Sequence, residues 1–359
     1  MRRRMVIVTS AIAVAAVLSS RPVMAQMAGP LHSAIRAAAD RQLSLEGAYT
    51  NGDTGAGSYA CSWEWLVGTG VAYRNTQGPS ALGLLAAYAI LRNPTYLNGV
   101  VCAADQMVGR YDAAPSLRPY ADDEILLVTL SDATGNPTYA QKAVAYYGRV
   151  QAQFPTGKDL ADYYINNRLS LSGWDLSSQI LAALAVGQRD YARAIADEIV
   201  ARRADWETVQ YGGYDYTLLS HAALIQALDD VSRRDRPVAL YLKEITAAVV
   251  AAQDADGAWD EDYQTTAYVI MGLDDADPRP REFQKAEYAG VQYLLNNQTN
   301  GGWVYPPEIG EVNGEALTAL CLVALPGHDE LDWRDFRGPW LHGPHDLDRH
   351  YGPHGPAHH

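Results

Sequence analysis

The chain has 359 residues, with 28 basic against 42 acidic side chains and a formal net charge of −14. This balance argues against nucleic acid, which needs clustered Lys and Arg, and against docking on anionic lipid. The length suits one large domain or two small ones. With only 3 cysteines and no CxxC or Cys/His spacing, nothing calls for a metal or a cofactor.

Arg2, Arg3 and Arg4 open the chain, followed by an apolar segment over 5–18 that is too short to span a bilayer. Val23 and Ala25 then place small residues at −3 and −1 of a cleavage site. Residues 1–25 are therefore expected to be a secretory signal, exporting a chain that begins at Gln26 to the periplasm or beyond. No later apolar run is long enough for stable membrane insertion.

From there, apolar residues recur at helical spacing and strand-like alternation is hard to find. Two kinds of helix alternate strictly. Amphipathic, charged helices are predicted over 31–45, 95–110, 137–154, 189–204, 237–253 and 281–298. Almost uniformly apolar helices fall between them, over 78–91, 122–130, 175–186, 215–228, 262–273 and 312–325. A helix apolar all round is buried on every side. A repeat of roughly forty to fifty residues marks a solenoid or a closed array. An open superhelix would leave each pair one exposed face, which the apolar helices lack. The prediction is an all-α (α/α)6 toroid over 26–331, six inner helices inside six outer ones.

Turn chemistry orients the pairs. Asn93-Pro94 and Asn136-Pro137 end one helix and start the next. Such short links run from inner to outer helix, whereas the long ones (50–77, 155–174 and 301–311) run from outer to inner. Long loops thus gather where the inner helices begin, and functional groups are expected there. Cys321, in an apolar run, is expected to be a buried free thiol. Cys61 and Cys102 can pair only if their Cα atoms come close enough. Residues 332–359, rich in Gly and Pro with His342, His345, His350, His354, His358 and His359, read as a disordered tail. Weak metal binding is the alternative there.

Gln253-Asp254-Ala255-Asp256-Gly257-Ala258-Trp259 fits Q-x-x-x-G-x-W, and Gln298 leads to Gly301-Gly302-Trp303 one residue shorter. These stretches resemble the QW repeats of the squalene/hopene cyclase and protein prenyltransferase toroids. The resemblance covers about 243–325 and implies a fold in which Gln and Trp tie an outer helix to the following loop. The proton-donating D-x-D-D motif of the cyclases is approached only by Tyr120-Ala121-Asp122-Asp123, whose first position is Tyr, with Asp122 on the acid. The stretch 120–147, with its adjacent aspartates and Thr134-Gly135-Asn136-Pro137, is similar to secreted six-hairpin glycosidases of the α-1,6-mannanase type.

Residues at the starts of the inner helices form the candidate site. Asp122 and Asp123 are the first catalytic candidates, with Asp215 or Asp262 as the opposing carboxylate. Asn167, Arg168, Trp174, Tyr214, His221, Tyr263 and Glu311 are candidates for substrate binding. Arg74, Asp260, Asn313 and Glu315 share the rim, and Asp175 reads as a plain N-cap. Each acid alone could be a cap, since Asp and Asn satisfy free N–H groups at helix starts. Together, carboxylates converging on one cleft raise some of each other's pKa values, and aromatic rings stack on sugars. An exported carbohydrate-active protein is expected, a glycoside hydrolase or a polysaccharide lyase, with a glycan or other small molecule as partner. In the lyase, Asn167 or Arg168 neutralises a uronate and Tyr214 or His221 is the base. The alternatives are a non-catalytic ligand-binding or scaffold toroid, and a terpene cyclase-like protein using Asp122 as proton donor.

Overall fold

The computed structural model describes residues 21–324 apart from 234, 276–279 and 305–306. The expected tail over 332–359 and most of the expected signal lie outside them. The first helix, α1 (Arg21–Ser44), starts within the expected leader. It is followed by β1 (Gly47–Asn51), β2 (Ser58–Ser62) and β3 (Val71–Ala72). Next come α2 (Gln77–Leu91), α3 (Pro94–Ala113), α4 (Ala121–Thr134), α5 (Pro137–Gln153) and α6 (Gly157–Arg168). The order continues as α7 (Ser172–Ala185), α8 (Arg189–Ala201), the single turn α9 (Arg203–Trp206), α10 (Thr217–Ser232) and α11 (Arg236–Ala251). It ends with α12 (Tyr263–Asp275), α13 (Arg281–Asn297) and α14 (Gly310–Val323).

The inner ring closes. Helices α2, α4, α7, α10, α12 and α14 each pack on the next, and α14 packs back on α2. Each is covered outside by the helix that follows it, and α1 serves as the outer partner of α14. This is the (α/α)6 toroid that the alternation of apolar and amphipathic helices predicts. Among the described residues, no helix is long and apolar enough to cross a membrane.

The links follow local chemistry. Asn93 and Asn136 side chains each accept from the N–H two residues on, at 3.1 Å, ahead of a proline in the first helical turn. Two outer-to-inner links hold structure that the periodicity does not show. The link over 45–76 carries a three-stranded sheet in the order β2-β1-β3, pinned to α3 by a Cys61–Cys102 disulfide with Cα atoms 5.7 Å apart. The link over 155–174, expected to be a loop, contains α6, which a Thr156/Asp159 capping box starts. Cys321 is a buried free thiol.

The Gln and Trp of the QW-like stretches act through hydrogen bonds. Gln253 Nε2 donates to the Gly257 carbonyl at 3.0 Å and to Ala286 of α13 at 2.8 Å, tethering adjacent outer helices. Gln298 Nε2 donates to Gly301 and to Ala34 of α1, so the same tether crosses the point of closure. Four buried indoles donate to a carbonyl in the last turn of the preceding outer helix. They are Trp63 to Gln42 (2.7 Å), Trp206 to Ile199 (3.2 Å), Trp259 to Val249 (2.7 Å) and Trp303 to Leu294 (2.9 Å). Each satisfies one of the carbonyls that a helix leaves orphaned at its end.

The glycines beside two of these indoles permit the tether. At Gly257 (φ +97°) a Cβ would lie 2.5 Å from the Ala289 carbonyl oxygen; at Gly301 (φ +84°) it would lie 2.2 Å from that of Ala37. Gly301→Ala is expected to lower stability by about 2–4 kcal/mol through backbone strain and overpacking. Gly148→Ala, exposed on α5 with no atom near its would-be Cβ, should raise it by about 0.5–1 kcal/mol. Urea unfolding of the two variants measures both. Equal effects would remove Gly301 from the closure.

Candidate active site

Small residues bring three inner helices together at the mouth. A Cβ on Gly83 of α2 would lie 2.5 Å from the Gly314 carbonyl oxygen of α14, and one on Gly78 would lie 2.7 Å from the Asp122 Cβ of α4. With α2 this thin, acids from α4 and α14 come within electrostatic reach of one another. Glu311 and Glu315 lie one turn apart on the same face of α14 and are both buried. Asp122 opens onto a cavity of about 140 Å³ in the bore, which Glu315, Tyr268, Ser177 and Ser178 also line.

These carboxyls titrate far from their usual range. Burial, reinforced by the Asp123 charge and opposed by a hydrogen bond from Ser178, lifts Asp122 to about 6. Burial lifts Glu311 to about 8, with the Asp122 and Asp175 charges adding to it. Burial, then Glu311, pushes Glu315 well above the usual carboxyl range. Its oxygens accept from Tyr268 Oη at 2.9 Å and Gln264 Nε2 at 2.8 Å, which opposes the rise. At neutral pH the mouth therefore holds an ionised Asp122 within electrostatic reach of a protonated Glu311.

Cations at the mouth are packed on aromatic faces. Arg168 donates to Asp175 at 2.8 Å and to Tyr211 Oη at 2.8 Å, with its guanidinium 4.6 Å from the Tyr211 ring centre. Arg118 covers Phe154, Tyr163 and Tyr164, and Arg74 covers Tyr120. Burial raises Asp175, and Arg168 opposes that rise. Asp175 is thus an ion-pair partner in the mouth and makes no cap bond, unlike the plain N-cap read from the sequence.

The remaining candidates separate by position. Asp123 is turned to the outer ring, where Tyr111 Oη donates to it, and burial lifts it to about 6. Asp215 accepts from the Thr217 N–H at 2.9 Å, and Asp262 from the Thr265 N–H at 2.7 Å, so both are occupied as caps of α10 and α12. The acids set around Asp122 come instead from α7 and α14. Asn167 is exposed and donates to the Tyr163 carbonyl of its own helix. His221 Nε2 lies 3.0 Å from Glu207, among Trp206 and Tyr241 toward the outer ring. Tyr263 packs on Tyr293. Trp174 meets the Tyr268 ring edge-on at 6.1 Å beside the acids, whereas Tyr214 stands 68% exposed on the rim.

Sequence reasoning missed Tyr268, Ser178 and Gln264, and placed Glu315 on the rim without a role. The available signal was an acidic pair at i, i+4 inside an otherwise apolar helix. Of the exposed aromatics, Tyr214 was a substrate-binding candidate, whereas Trp65, Tyr120 and Tyr163 were missed as stacking faces. Trp65, Tyr120, Tyr163 and Tyr214 are 38–68% exposed, and all precede inner helices, on the mouth side.

No family model and no curated protein matches the chain. Solved structures do. A mutant unsaturated glucuronyl hydrolase from Streptococcus agalactiae superposes with TM-score 0.56 at 14% identity, covering 85% of this chain and 92% of that one. Another mutant of an S. agalactiae unsaturated glucuronyl hydrolase, complexed with dGlcA-GalNAc6S, gives 0.55 at 13% identity over 84% and 92%. The unsaturated glucuronyl hydrolase of Bacillus sp. GL1, described as responsible for the degradation of glycosaminoglycan, gives 0.54 at 14% over 86% and 98%. At such identities the likeness establishes the (α/α)6 glycosidase-like fold and no reaction.

The raised Glu311 has a consequence for stability. Below its ordinary value of 4.5 the carboxyl is protonated whether folded or unfolded. As the pH rises toward 8, the unfolded chain ionises while the folded site holds its proton, so stability is lost. Glu311→Gln should therefore unfold at a higher temperature than wild type at pH 8 and not at pH 4.5. The gain should exceed about 1 kcal/mol, roughly the worth of one pKa unit. A pH-independent difference would show that Glu311 carries no such strain.

Proposed function

We propose that the chain is an exported glycoside hydrolase working by acid–base chemistry at the mouth of its toroid. The observation that carries the reading is the placement of two carboxyls at one mouth, Asp122 on α4 and Glu311 on α14, both helices packed closely on α2; their environments separate them, Asp122 at about 6 and Glu311 at about 8. Such a split lets one group act as carboxylate while the other donates a proton at the same pH. Glu311 is assigned the proton for the leaving-group oxygen. Asp122 is assigned the carboxylate facing the sugar, with Glu315 behind them pushed up by burial and held in place by hydrogen bonds from Tyr268 and Gln264. The exposed aromatics of the rim supply stacking faces for sugar rings. The glycosidase-like fold adds support, and the neighbour complexed with dGlcA-GalNAc6S suggests unsaturated uronyl oligosaccharides for the assay panel.

Export is part of the proposal. The basic and apolar start of the chain supports it, as does the Cys61–Cys102 disulfide, since such bonds persist in oxidising compartments. Recovery of the secreted protein with Gln26 at its N-terminus would establish it, and an intact leader on cytosolic protein would refute it.

Across a panel of oligosaccharides that includes unsaturated uronyl substrates, kcat/KM should rise as Asp122 ionises near pH 6. It should fall as Glu311 loses its proton near pH 8. Asp122→Asn should cut kcat at least about 10²-fold, and Glu311→Gln should remove the alkaline limb, as expected for general acid–base groups. Full activity in both variants, or cleavage of no glycan by wild type, would sink the assignment.

A further inference from the structure

The bore beneath the acids differs chemically from the mouth. Inner-helix side chains are buried almost throughout, yet Leu82, Ala86, Ile125, Thr129, Leu181 and Ala185 remain partly exposed, and all six line the cavity. They fall at i, i+4 on each of α2, α4 and α7, so each of these helices turns one stripe to the bore. The stripe on α4 runs from Asp122 at the mouth to Asp132, both in the lining, a rise of about 15 Å. Between these ends the walls are mainly Leu, Ile, Val, Ala and Met.

A pyranose does not suit such walls, because each hydroxyl left without a hydrogen bond is costly to bury. An apolar group does, since water against aliphatic walls is released when it enters. A cavity of about 140 Å³ is also close to the ~150 Å³ that accepts a benzene ring in an engineered apolar cavity.

We infer that the bore below Asp122 and Glu315 is an aglycone pocket, taking an aryl or short alkyl group of about six carbons while the sugar stays at the aromatic rim. The inference rests on the hydrolase reading and specifies its substrate class as glycosides of apolar alcohols or phenols. In that reaction the bond between the anomeric carbon and the glycosidic oxygen breaks. The oxygen takes a proton from the carboxyl acid, water's oxygen bonds to the anomeric carbon, and its proton passes to the carboxylate. The aglycone is released as a neutral alcohol or phenol within apolar walls.

The test is binding of n-alkan-1-ols, from ethanol to decanol, to the full chain, read by ligand-observed NMR. Affinity should grow about fourfold per methylene, the worth of one buried CH₂, and level off near six carbons. Ala185→Leu, which fills the bore, should lower hexanol affinity at least tenfold. Leu82→Ala, which enlarges it, should move the plateau to longer chains and serves should the first variant not fold. Affinity independent of chain length, or hexanol binding unchanged in a folded variant, overturns the inference. A second arm compares hexyl and methyl glycosides of one sugar, and a lower KM for hexyl is expected. Length-dependent alkanol binding without cleavage of either glycoside would refute the hydrolase reading and leave the apolar pocket standing.

Discussion

Closure of the inner ring is the constraint from which the rest of the structure follows, and its tightest point is α14 against α2. Gly83 meets the Gly314 backbone there, and Gly314 in turn lies against Pro79 and Ser80, so any side chain at either glycine would hold the two helices apart. α14 has no solvent-facing side; its residues are buried from Gly310 to Val323 except Thr318. A helix of that kind is stable only when surrounded. The first and last helical pairs of the chain therefore have to meet, and the Gln298 tether to Ala34 and the Arg41–Glu308 ion pair fasten the same seam. Folding of the ends and formation of the site are one event, because Glu311 and Glu315 stand on the helix that closes the ring.

That coupling explains how buried acids persist beside one another. Burying a carboxylate is expensive unless it is paired, and in practice the group takes up a proton instead. Arg168 answers Asp175, and Tyr268 with Gln264 holds Glu315, but among the described residues nothing of opposite charge is set against Glu311. Glu124, just behind Asp122, is also buried with neither carboxyl oxygen hydrogen-bonded, and is pushed well above the usual carboxyl range. The scaffold thus carries strain at one end of the ring. The four indole caps and the paired Gln tethers lie at that same end, where the outer helices finish and the inner ones begin. Stabilising devices sit where the electrostatics are least favourable, a pattern expected of a preorganised acid–base site.

The toroid was legible because burial leaves a periodic trace. Apolar-all-round helices alternating with amphipathic ones constrain the topology to rings, and Asn-Pro steps fix which links are short. The sheet over 47–72 left no such trace, since its strands are two to five residues long and lie in a loop. Helix α6 was obscured for another reason: its polar Asn166, Asn167 and Arg168 resemble loop chemistry, and its start depends on a capping box rather than on an apolar stripe. Within the site, Asp122 and Glu311 could be found from helix starts. Their partnership could not, because Asp215 and Asp262 look the same in sequence, and only the folded ring brings Asp175, Glu311 and Glu315 rather than them within electrostatic reach of Asp122. Trp63 and Trp206 make the same bond as Trp259 and Trp303, but no glycine-based motif precedes them to announce it.

The character of this mouth follows from which inner helices contribute acids. Here α4 supplies Asp122, α7 supplies Asp175 and α14 supplies Glu311 and Glu315, while α10 and α12 turn their leading aspartates to capping. The carboxyls are therefore gathered on one side of the bore, and Tyr268, Trp174 and the rim aromatics furnish much of the rest. A ligand in such a mouth meets acids on one face and rings on the others. On the proposed reading, that asymmetry would orient a sugar, whose ring faces are apolar and whose edges carry hydroxyls. It also sets the order of polarity along the axis: aromatic rim, then acids, then aliphatic wall. Under the proposed hydrolase reading, a substrate matching that order is polar at the scissile bond and apolar beyond, so the same ring closure that buries the acids also restricts what can reach them.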